Sequence, residues 1–216
     1  MSIVFQNILR KPTLSSSLVR YASSNSDVPR VLITGGLGQL GPGLAESFAQ
    51  RYGKENVIIS DINKPNKEFS KLGIKYTYGD ILDLDGLKQT VANNNITWVV
   101  HFGALLSAIG EQNVPLAINI NINGMQNILE LAKQFKLRVF IPSTIGAFGP
   151  ESPRNPTPDF CIQRPKTIYG VSKVYAELLG EYYAHKYKVD FRCLRFPGVI
   201  SAAEPGGGTT GLFKKT

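Results

Sequence analysis

The sequence is poor in cysteine, with two residues in 216, Cys161 and Cys193. They form neither a CxxC pair nor a metal-binding spacing, so neither a disulfide-stabilised scaffold nor a metal site is predicted. The sequence also lacks an apolar run of the ~18 residues that a spanning helix needs, so no membrane partner is predicted. With 43% hydrophobic residues, the chain can bury one sizeable core.

Acidic residues are missing from the start of the chain, where the first is Asp27. This segment holds Arg10, Lys11 and Arg20, and with them part of the net charge of +8. The other positive charges are not clustered, so no nucleic-acid partner is predicted. Residues 1–25 mix apolar, serine and basic residues, which is typical of a mitochondrial transit peptide and indicates the matrix. A disordered, uncleaved tail is the alternative interpretation.

After Pro29, short apolar runs alternate with amphipathic stretches. The predicted strands are Arg30–Thr34, Asn56–Ser60, Ile74–Tyr78, Thr97–Phe102, Arg138–Pro142 and Asp190–Phe196. The predicted helices are Gln39–Arg51, Leu84–Asn93, Pro115–Phe135 and Ile168–Tyr187. Strand–helix alternation with continuously apolar strands is typical of a parallel sheet covered on both faces. The sequence therefore predicts an α/β doubly wound fold, a Rossmann domain, over residues 29–210.

A glycine-rich turn, Thr34–Gly41, follows the first predicted strand and opens a helix. Its glycines permit a tight turn, close approach of the backbone to a pyrophosphate, and close helix–strand packing. The helix N-terminus presents unpaired N–H groups and partial positive charge to the anion. The predicted phosphate-binding residues are Gly35, Gly36, Leu37, Gly38, Gln39, Leu40 and Gly41.

Asp61 ends the second predicted strand, 20 residues after Gly41. A carboxylate at this position accepts hydrogen bonds from the adenosine ribose hydroxyls. It also repels a 2′-phosphate, so NAD is predicted as the cofactor rather than NADP, an inference that Lys64 nearby weakens slightly. Ile62 and Asn63 belong to the same predicted site. The alternative interpretation of Asp61 is an ordinary turn residue.

Two further segments at predicted strand ends complete the expected cofactor site. After the third strand, Asp80 can accept a hydrogen bond from the adenine amino group, and Ile81 can pack on the adenine face. The Gly79–Ile81 triplet is equally typical of a simple turn. Pro197 and Gly198 end the sixth strand, where they can flank the nicotinamide carboxamide.

Tyr169 and Lys173 stand four residues apart in a predicted helix, so both side chains lie on one face and can reach one ligand. A nearby ammonium, together with a positive nicotinamide ring, favours the phenolate. Tyr169 can then accept a proton from a substrate alcohol, while Lys173 holds the nicotinamide ribose. A YxxxK pattern by itself occurs often by chance. Its place behind a fifth strand, after a glycine-rich turn, favours the catalytic interpretation.

The fifth predicted strand leads to Ser143 and Thr144, at the sheet edge where doubly wound folds bind ligands. A hydroxyl there can hydrogen-bond a substrate oxygen beside the catalytic tyrosine. Thr144 ranks first, because Ser143 can equally satisfy backbone groups at a strand end. His101 and His185 have no nucleophile or metal ligand beside them in the pattern and are interpreted as structural.

With these motifs in place, the chain resembles the extended short-chain dehydrogenase/reductase superfamily. Longer strings at 35–45, 143–173 and 205–210 narrow the resemblance to the short-chain L-threonine 3-dehydrogenases of mitochondria. The resemblance implies a proton acceptor at Tyr169, a ribose-binding Lys173, and a substrate contact at Thr144 with Ser143 adjacent. It also implies oxidation of L-threonine by NAD to 2-amino-3-oxobutanoate, and a homodimer.

Residues 211–216 match nothing in that family, in which a last sheet strand and a small substrate-closing domain follow. We therefore expect both to be absent from this chain and activity to be impaired. One alternative is a catalytically inactive NAD-binding fragment that acts only by association. A weaker one is a nucleotide-sugar epimerase or dehydratase, since those enzymes share most of the motifs.

Overall fold

A computed structural model of the chain describes residues 28–199. Six parallel strands form a sheet in the order β3-β2-β1-β4-β5-β7. They are β1 Val31–Thr34, β2 Val57–Asp61, β3 Lys75–Tyr78, β4 Trp98–His101, β5 Arg138–Phe140 and β7 Asp190–Arg192. This order confirms the predicted doubly wound fold. The predicted transit peptide and the atypical tail lie outside the described residues.

Helices connect the strands and cover the sheet. They are α1 Gly41–Tyr52, α2 Lys67–Lys71, α3 Leu84–Asn93, α4 Ser107–Gln112, α5 Val114–Ile118, α6 Met125–Phe135 and α7 Ile168–Tyr187. The bounds of α3 and α7 agree with the prediction. The sequence pattern did not predict α2 and α4, which have five and six residues, too few to show a helical repeat.

The long helix predicted over Pro115–Phe135 is interrupted between α5 and α6. Residues Asn119–Gly124 form a π-helical turn instead. Such turns widen a helix locally and are frequent at functional sites. At Gly124 an added Cβ would lie 2.7 Å from the side chain of Ile81, so this turn brings the helix backbone against the loop after β3.

The predicted fifth and sixth strands each break before their end. Beyond β5 and β7, residues Ser143–Thr144 (β6) pair in parallel with Arg195–Phe196 (β8) as a separate two-stranded sheet. Pro142 stands at the break, and proline has no N–H to donate to a ladder. The break therefore places the predicted substrate hydroxyls in a short ladder of their own.

Alternate strand residues pack on opposite faces of the sheet, as the strand period of two requires. On one face Leu32, Ile58, Val99 and Val139 are buried with side chains from α3, α6 and α7. On the other face Val31, Ile33, Val57 and Ile59 are buried with side chains from α1. The two clusters hold the carboxyl ends of the strands at one common edge.

Candidate active site

The glycine-rich turn has little room for side chains at two positions. Gly35 has φ +64°, and an added Cβ there would lie 2.5 Å from the backbone nitrogen of Gly103. At Gly41 it would lie 2.0 Å from the carbonyl oxygen of Gly36. Gly38 is exposed, and an added Cβ would meet only the Gly35 oxygen, at 3.3 Å. A ligand can therefore approach the backbone closely at Gly38.

Helix α1 begins directly after this turn without a side-chain cap. Its N-cap residue, Leu40, makes no capping hydrogen bond, and proline follows at the start of the helix. The first N–H groups of a helix have no intrahelical partners and carry partial positive charge. The first turn of α1 and the open backbone at Gly38 thus fit the pyrophosphate of a dinucleotide.

Asp61 lies beside the same turn, as the sequence predicts. Its Oδ2 accepts a hydrogen bond from the Leu37 backbone nitrogen at 3.0 Å. Its Oδ1 accepts from the backbone and side-chain nitrogens of Asn63 at 2.9 and 3.1 Å. Carboxylate oxygens have further lone pairs for ribose hydroxyls. The hydrogen bond from Leu37 to Asp61 thus connects the end of β2 to the glycine-rich turn. Ile62, the next residue, is exposed.

The predicted adenine contacts after β3 are engaged within the protein. The Oδ1 of Asp80 accepts a hydrogen bond from the Leu82 backbone nitrogen at 2.9 Å. Ile81 is buried, and its side chain packs towards Gly103 and Gly124. Ile81 therefore offers only a small part of its surface to a ligand. Asp80 is half-buried and thus more accessible.

The predicted reaction pair occupies the first turns of α7. Thr167 caps this helix by accepting a hydrogen bond from the Gly170 nitrogen at 3.0 Å. The Nζ of Lys173 lies 5.5 Å from the ring centre of Tyr169. It donates a hydrogen bond to the carbonyl oxygen of Pro142 at 2.8 Å. The structure therefore brings both side chains to the break after β5.

Burial dominates the electrostatics of the Tyr–Lys pair. It raises the pKa of the Tyr169 phenol, whereas the sequence predicts that Lys173 together with a bound nicotinamide ring favours the phenolate. Burial also lowers the pKa of Lys173 to about 8, against a smaller opposing effect of Cys193. Desolvation thus disfavours the charged form of both groups.

The two predicted hydroxyls differ in their surroundings. Thr144 is half-buried, and its Oγ1 accepts a hydrogen bond from the Gly146 nitrogen at 3.1 Å, which leaves its own O–H available for donation. Ser143 is buried, and its hydroxyl donates to the carboxylate of Glu177. The geometry thus favours Thr144 as the substrate contact. Pro197, after β8, is exposed.

Asn121 lies in the π-helical turn and was not assigned a role from the sequence. The side chain of Asn121 accepts a hydrogen bond from the Leu105 nitrogen at 2.7 Å and donates to the Leu105 oxygen at 2.9 Å. It also donates to Ser172 at 3.3 Å, and the Ser172 hydroxyl donates to the Tyr169 carbonyl at 2.7 Å. Asn121 therefore connects the loop after β4 to α7 through hydrogen bonds.

Residues 28–199 contain neither a metal-binding cluster of side chains nor a membrane-spanning helix. No three His, Cys, Asp or Glu side chains cluster there as ligands of a metal ion would. No helix in this range is long and apolar enough to cross a membrane.

A phosphate-binding glycine turn, a carboxylate at the end of β2 and a Tyr–Lys pair at the carboxyl edge of the sheet define a dinucleotide-dependent protein of the short-chain dehydrogenase type. A model of the NAD dependent epimerase/dehydratase family matches residues 31–215, and the chain belongs to this family. The cofactor in the family's description, NAD, agrees with the cofactor predicted from Asp61.

Named relatives are similar along most of this chain. A Sus scrofa protein, "L-threonine 3-dehydrogenase, mitochondrial", is 62% identical over 87% of this chain and 50% of its own length. A Homo sapiens protein, "Inactive L-threonine 3-dehydrogenase, mitochondrial", is 61% identical over 73% of this chain and 68% of its own length. The crystal structure of L-threonine dehydrogenase from Phytophthora infestans is 49% identical, with a TM-score of 0.79, over 84% of this chain and 58% of that one. This chain thus spans about half the length of the pig relative.

Proposed function

We propose that the protein is an NAD-dependent L-threonine 3-dehydrogenase, which oxidises the 3-hydroxyl of L-threonine to give 2-amino-3-oxobutanoate and NADH. The observation that carries the proposal is the convergence of Tyr169, Lys173 and Thr144 at the break between β5 and β6. The 62% identity to the pig protein that bears this name supports the choice of substrate.

Thr144, Tyr169 and Lys173 each have a separate role in the proposed reaction. Thr144 donates a hydrogen bond to the 3-hydroxyl oxygen and orients it towards Tyr169. Tyr169 accepts the hydroxyl proton as the C3 hydrogen leaves with its electron pair. NAD, when bound, accepts that hydride. Lys173 lies beside the Tyr169 ring and donates a hydrogen bond to the Pro142 carbonyl, so its ammonium favours the phenolate form of Tyr169 and can hold the ribose hydroxyls.

An assay of NADH absorbance with the purified protein, NAD and L-threonine tests this proposal. L-Serine, which lacks the methyl group at C3, is the matched control substrate. We expect NADH formation with L-threonine, at the impaired rate that the sequence predicts for this chain, and much less with L-serine. No NADH formation, together with interconversion of UDP-glucose and UDP-galactose, would show the epimerase activity instead.

An NAD-binding protein without dehydrogenase activity is the second candidate. The name of the human relative, which calls that protein inactive, favours it. Calorimetric titration separates the two candidates, because both bind NAD but only the dehydrogenase produces NADH. Binding of NAD without turnover would support the inactive form, and absence of NAD binding would contradict both.

We also propose that the protein works in the mitochondrial matrix, with residues 1–25 as its import segment. The relatives named mitochondrial support this location. N-terminal sequencing of the protein isolated from mitochondria is the test. Loss of the first ~25 residues is expected from the composition of the segment, and a retained Met1 would contradict it.

A homodimer is the proposed assembly. On α7 the side chains of Val171, Leu178 and Tyr182 are exposed, and their spacing places them along one side of the helix. An exposed apolar stripe of this kind is typical of a contact surface between chains. Sedimentation of the parent and of Leu178→Arg tests it, since the variant is expected to shift towards the monomer. A parent that sediments as a monomer would contradict the proposal.

A further inference from the structure

The carboxylate of Glu177 is a polar centre that the sequence did not single out. Glu177 lies on α7 one helical turn after Lys173, and its side chain is 8% exposed. Its Oε1 accepts hydrogen bonds from the Ser143 hydroxyl and, at 2.9 Å, from Nε of Arg195. Its Oε2 accepts from Nη2 of Arg195 at 2.7 Å and from Gln163 at 3.2 Å. One carboxylate therefore joins α7, β6, β8 and the loop that contains Gln163.

This carboxylate stays ionised despite its burial. Burial by itself raises the pKa of Glu177, but hydrogen bonds from Arg195, Ser143 and Gln163 and the Arg195 charge outweigh it and lower the pKa. A buried charge is stable only with partners of this kind. The bidentate contact with Arg195 also has the geometry of a strong carboxylate–guanidinium pair.

Glu177 and Lys173 together hold two consecutive residues of the segment that leaves the main sheet. Lys173 donates to the carbonyl oxygen of Pro142 at 2.8 Å, and Glu177 accepts from the hydroxyl of Ser143. Thr144, the proposed substrate contact, is the next residue. Two successive turns of α7 therefore hold the segment just before Thr144, one through the backbone of Pro142 and one through the side chain of Ser143. Tyr169 belongs to the turn that precedes them.

The sheet that contains Thr144 is short. Strand β6 has two residues, and the Ser143 nitrogen donates to the Leu194 oxygen at 2.8 Å. Arg195, in the partner strand β8, binds the same carboxylate as Ser143. Glu177 thus holds both strands of this sheet at once, from the helix that carries Tyr169.

We propose that Glu177 is a positioning residue that holds Thr144 at a constant distance from Tyr169, through the hydroxyl of Ser143 and the guanidinium of Arg195. The hydroxyl of Ser143 then serves the carboxylate and not the substrate. The catalytic consequence rests on the proposed dehydrogenase function. Displacing a reacting group by about 1 Å can slow a reaction ~10²-fold, so loss of this support should reduce turnover strongly.

The structural test is amide hydrogen exchange of Glu177→Gln, with Asp190→Asn as the matched control. Asp190 also holds two arginines, Arg138 and Arg192, but it lies on β7, away from the Tyr–Lys pair. We expect exchange in peptides covering 142–147 to become at least tenfold faster in Glu177→Gln and to stay unchanged in Asp190→Asn. Peptides from α1 should not change in either variant. Unchanged exchange at 142–147 would overturn the proposal.

A milder variant covers the case in which Glu177→Gln does not fold. Ser143→Ala removes the hydroxyl donor and leaves the contact between Glu177 and Arg195 in place. We expect faster exchange confined to the same peptides. Parent-like exchange in Ser143→Ala would overturn the role given to the hydroxyl.

The functional test compares kcat per folded molecule. Glu177→Gln should lose ten- to a hundredfold in kcat, consistent with a displaced group, while the Kd for NAD stays within twofold. Glu177→Asp should recover part of the loss, because it keeps the charge. A kcat within threefold of the parent, despite faster local exchange, would reduce Glu177 to a structural role and overturn the proposal. An inactive parent would instead contradict the proposed function, and the exchange results would still decide whether Glu177 holds this segment.

Discussion

The Oγ1 atom of Thr34 and the Nδ1 atom of His101 lie 2.8 Å apart, across the paired strands β1 and β4. Both side chains are buried at the carboxyl edge of the sheet. Burial, with a smaller contribution from the Lys173 charge, lowers the pKa of His101 to about 3. The imidazole is therefore neutral at physiological pH and joins two central strands, which agrees with its interpretation as a structural residue.

This histidine should make the fold sensitive to acid. Its pKa is depressed from 6.5 to about 3 on folding, so between these values the unfolded chain binds a proton that the folded chain does not. The stabilisation is complete above pH 6.5 and is lost as the pH falls towards 3. We expect His101 to add a slope of up to about 1.4 kcal/mol per pH unit to the unfolding free energy in this window.

Urea unfolding of the parent and of His101→Gln at several pH values between 6.5 and 3.5 measures this slope. His185→Gln is the matched control, because His185 is exposed on α7. The His101 variant should show a shallower pH dependence than the parent, and the His185 variant should match the parent. Equal slopes in all three proteins would contradict the depressed pKa.

Two glycines of α1 should respond oppositely to alanine. At Gly41 the new Cβ would lie 2.0 Å from the Gly36 carbonyl oxygen, whereas at Gly43 it would meet no atom within 4 Å. Gly43→Ala should stabilise the protein by up to about 1 kcal/mol through helix propensity. Gly41→Ala should destabilise it, because backbone atoms must move. Thermal unfolding compares them, and a Gly41→Ala variant as stable as Gly43→Ala would contradict the close packing of the turn.

Asp61→Ala should weaken NAD binding and reduce the preference of the protein for NAD over NADP. Hydrogen bonds to charged groups contribute about 1.5–3 kcal/mol, which corresponds to a loss of roughly ten- to a hundredfold in NAD affinity. Calorimetric titration with both cofactors measures the change. Asp85→Ala is the control, since that carboxylate is largely exposed on α3. NADP binding to the parent as tightly as NAD would contradict the ribose assignment.

Tyr169→Phe should abolish threonine oxidation and leave the NAD affinity almost unchanged. The substitution removes the proton acceptor but little packing, and general bases contribute about 10²–10⁴ in rate. Steady-state kinetics and calorimetry give the two quantities. Tyr187→Phe, near the end of the same helix, is the control and should keep parental activity. Turnover of Tyr169→Phe within threefold of the parent would refute the catalytic role.

Local patterns predicted the helices and strands that have one periodicity throughout. The bounds of α3 and α7 are confirmed, and each of these helices begins at a side-chain cap, from Asp83 and Thr167. The helix over Pro115–Phe135 was predicted whole and is interrupted. Within its π turn, Asn121 makes hydrogen bonds with Leu105 and Ser172, and such contacts between distant segments are not contained in the periodicity.

In the candidate site, too, some features follow from the local sequence and others depend on the tertiary structure. Tyr169 and Lys173 are neighbours on any helix, so their shared face follows from their spacing. The effect of burial on the Tyr169 pKa is not contained in the local sequence, because burial of the phenol depends on chain segments distant in sequence. Glu177 was missed for the same reason, although it continues the Tyr169–Lys173 spacing by one more helical turn.

The sequence by itself determined the strand–helix alternation, the glycine turn and the spacing of the reaction pair, because each depends on residues close together in the chain. Only the tertiary structure decided that β5 ends at Phe140 and that Ser143 faces Glu177. Ser143 and Glu177 are 34 positions apart in the sequence. A hydrogen bond between them depends on how the break at Pro142 aims the backbone at α7, and that orientation arises only when sheet and helix pack together.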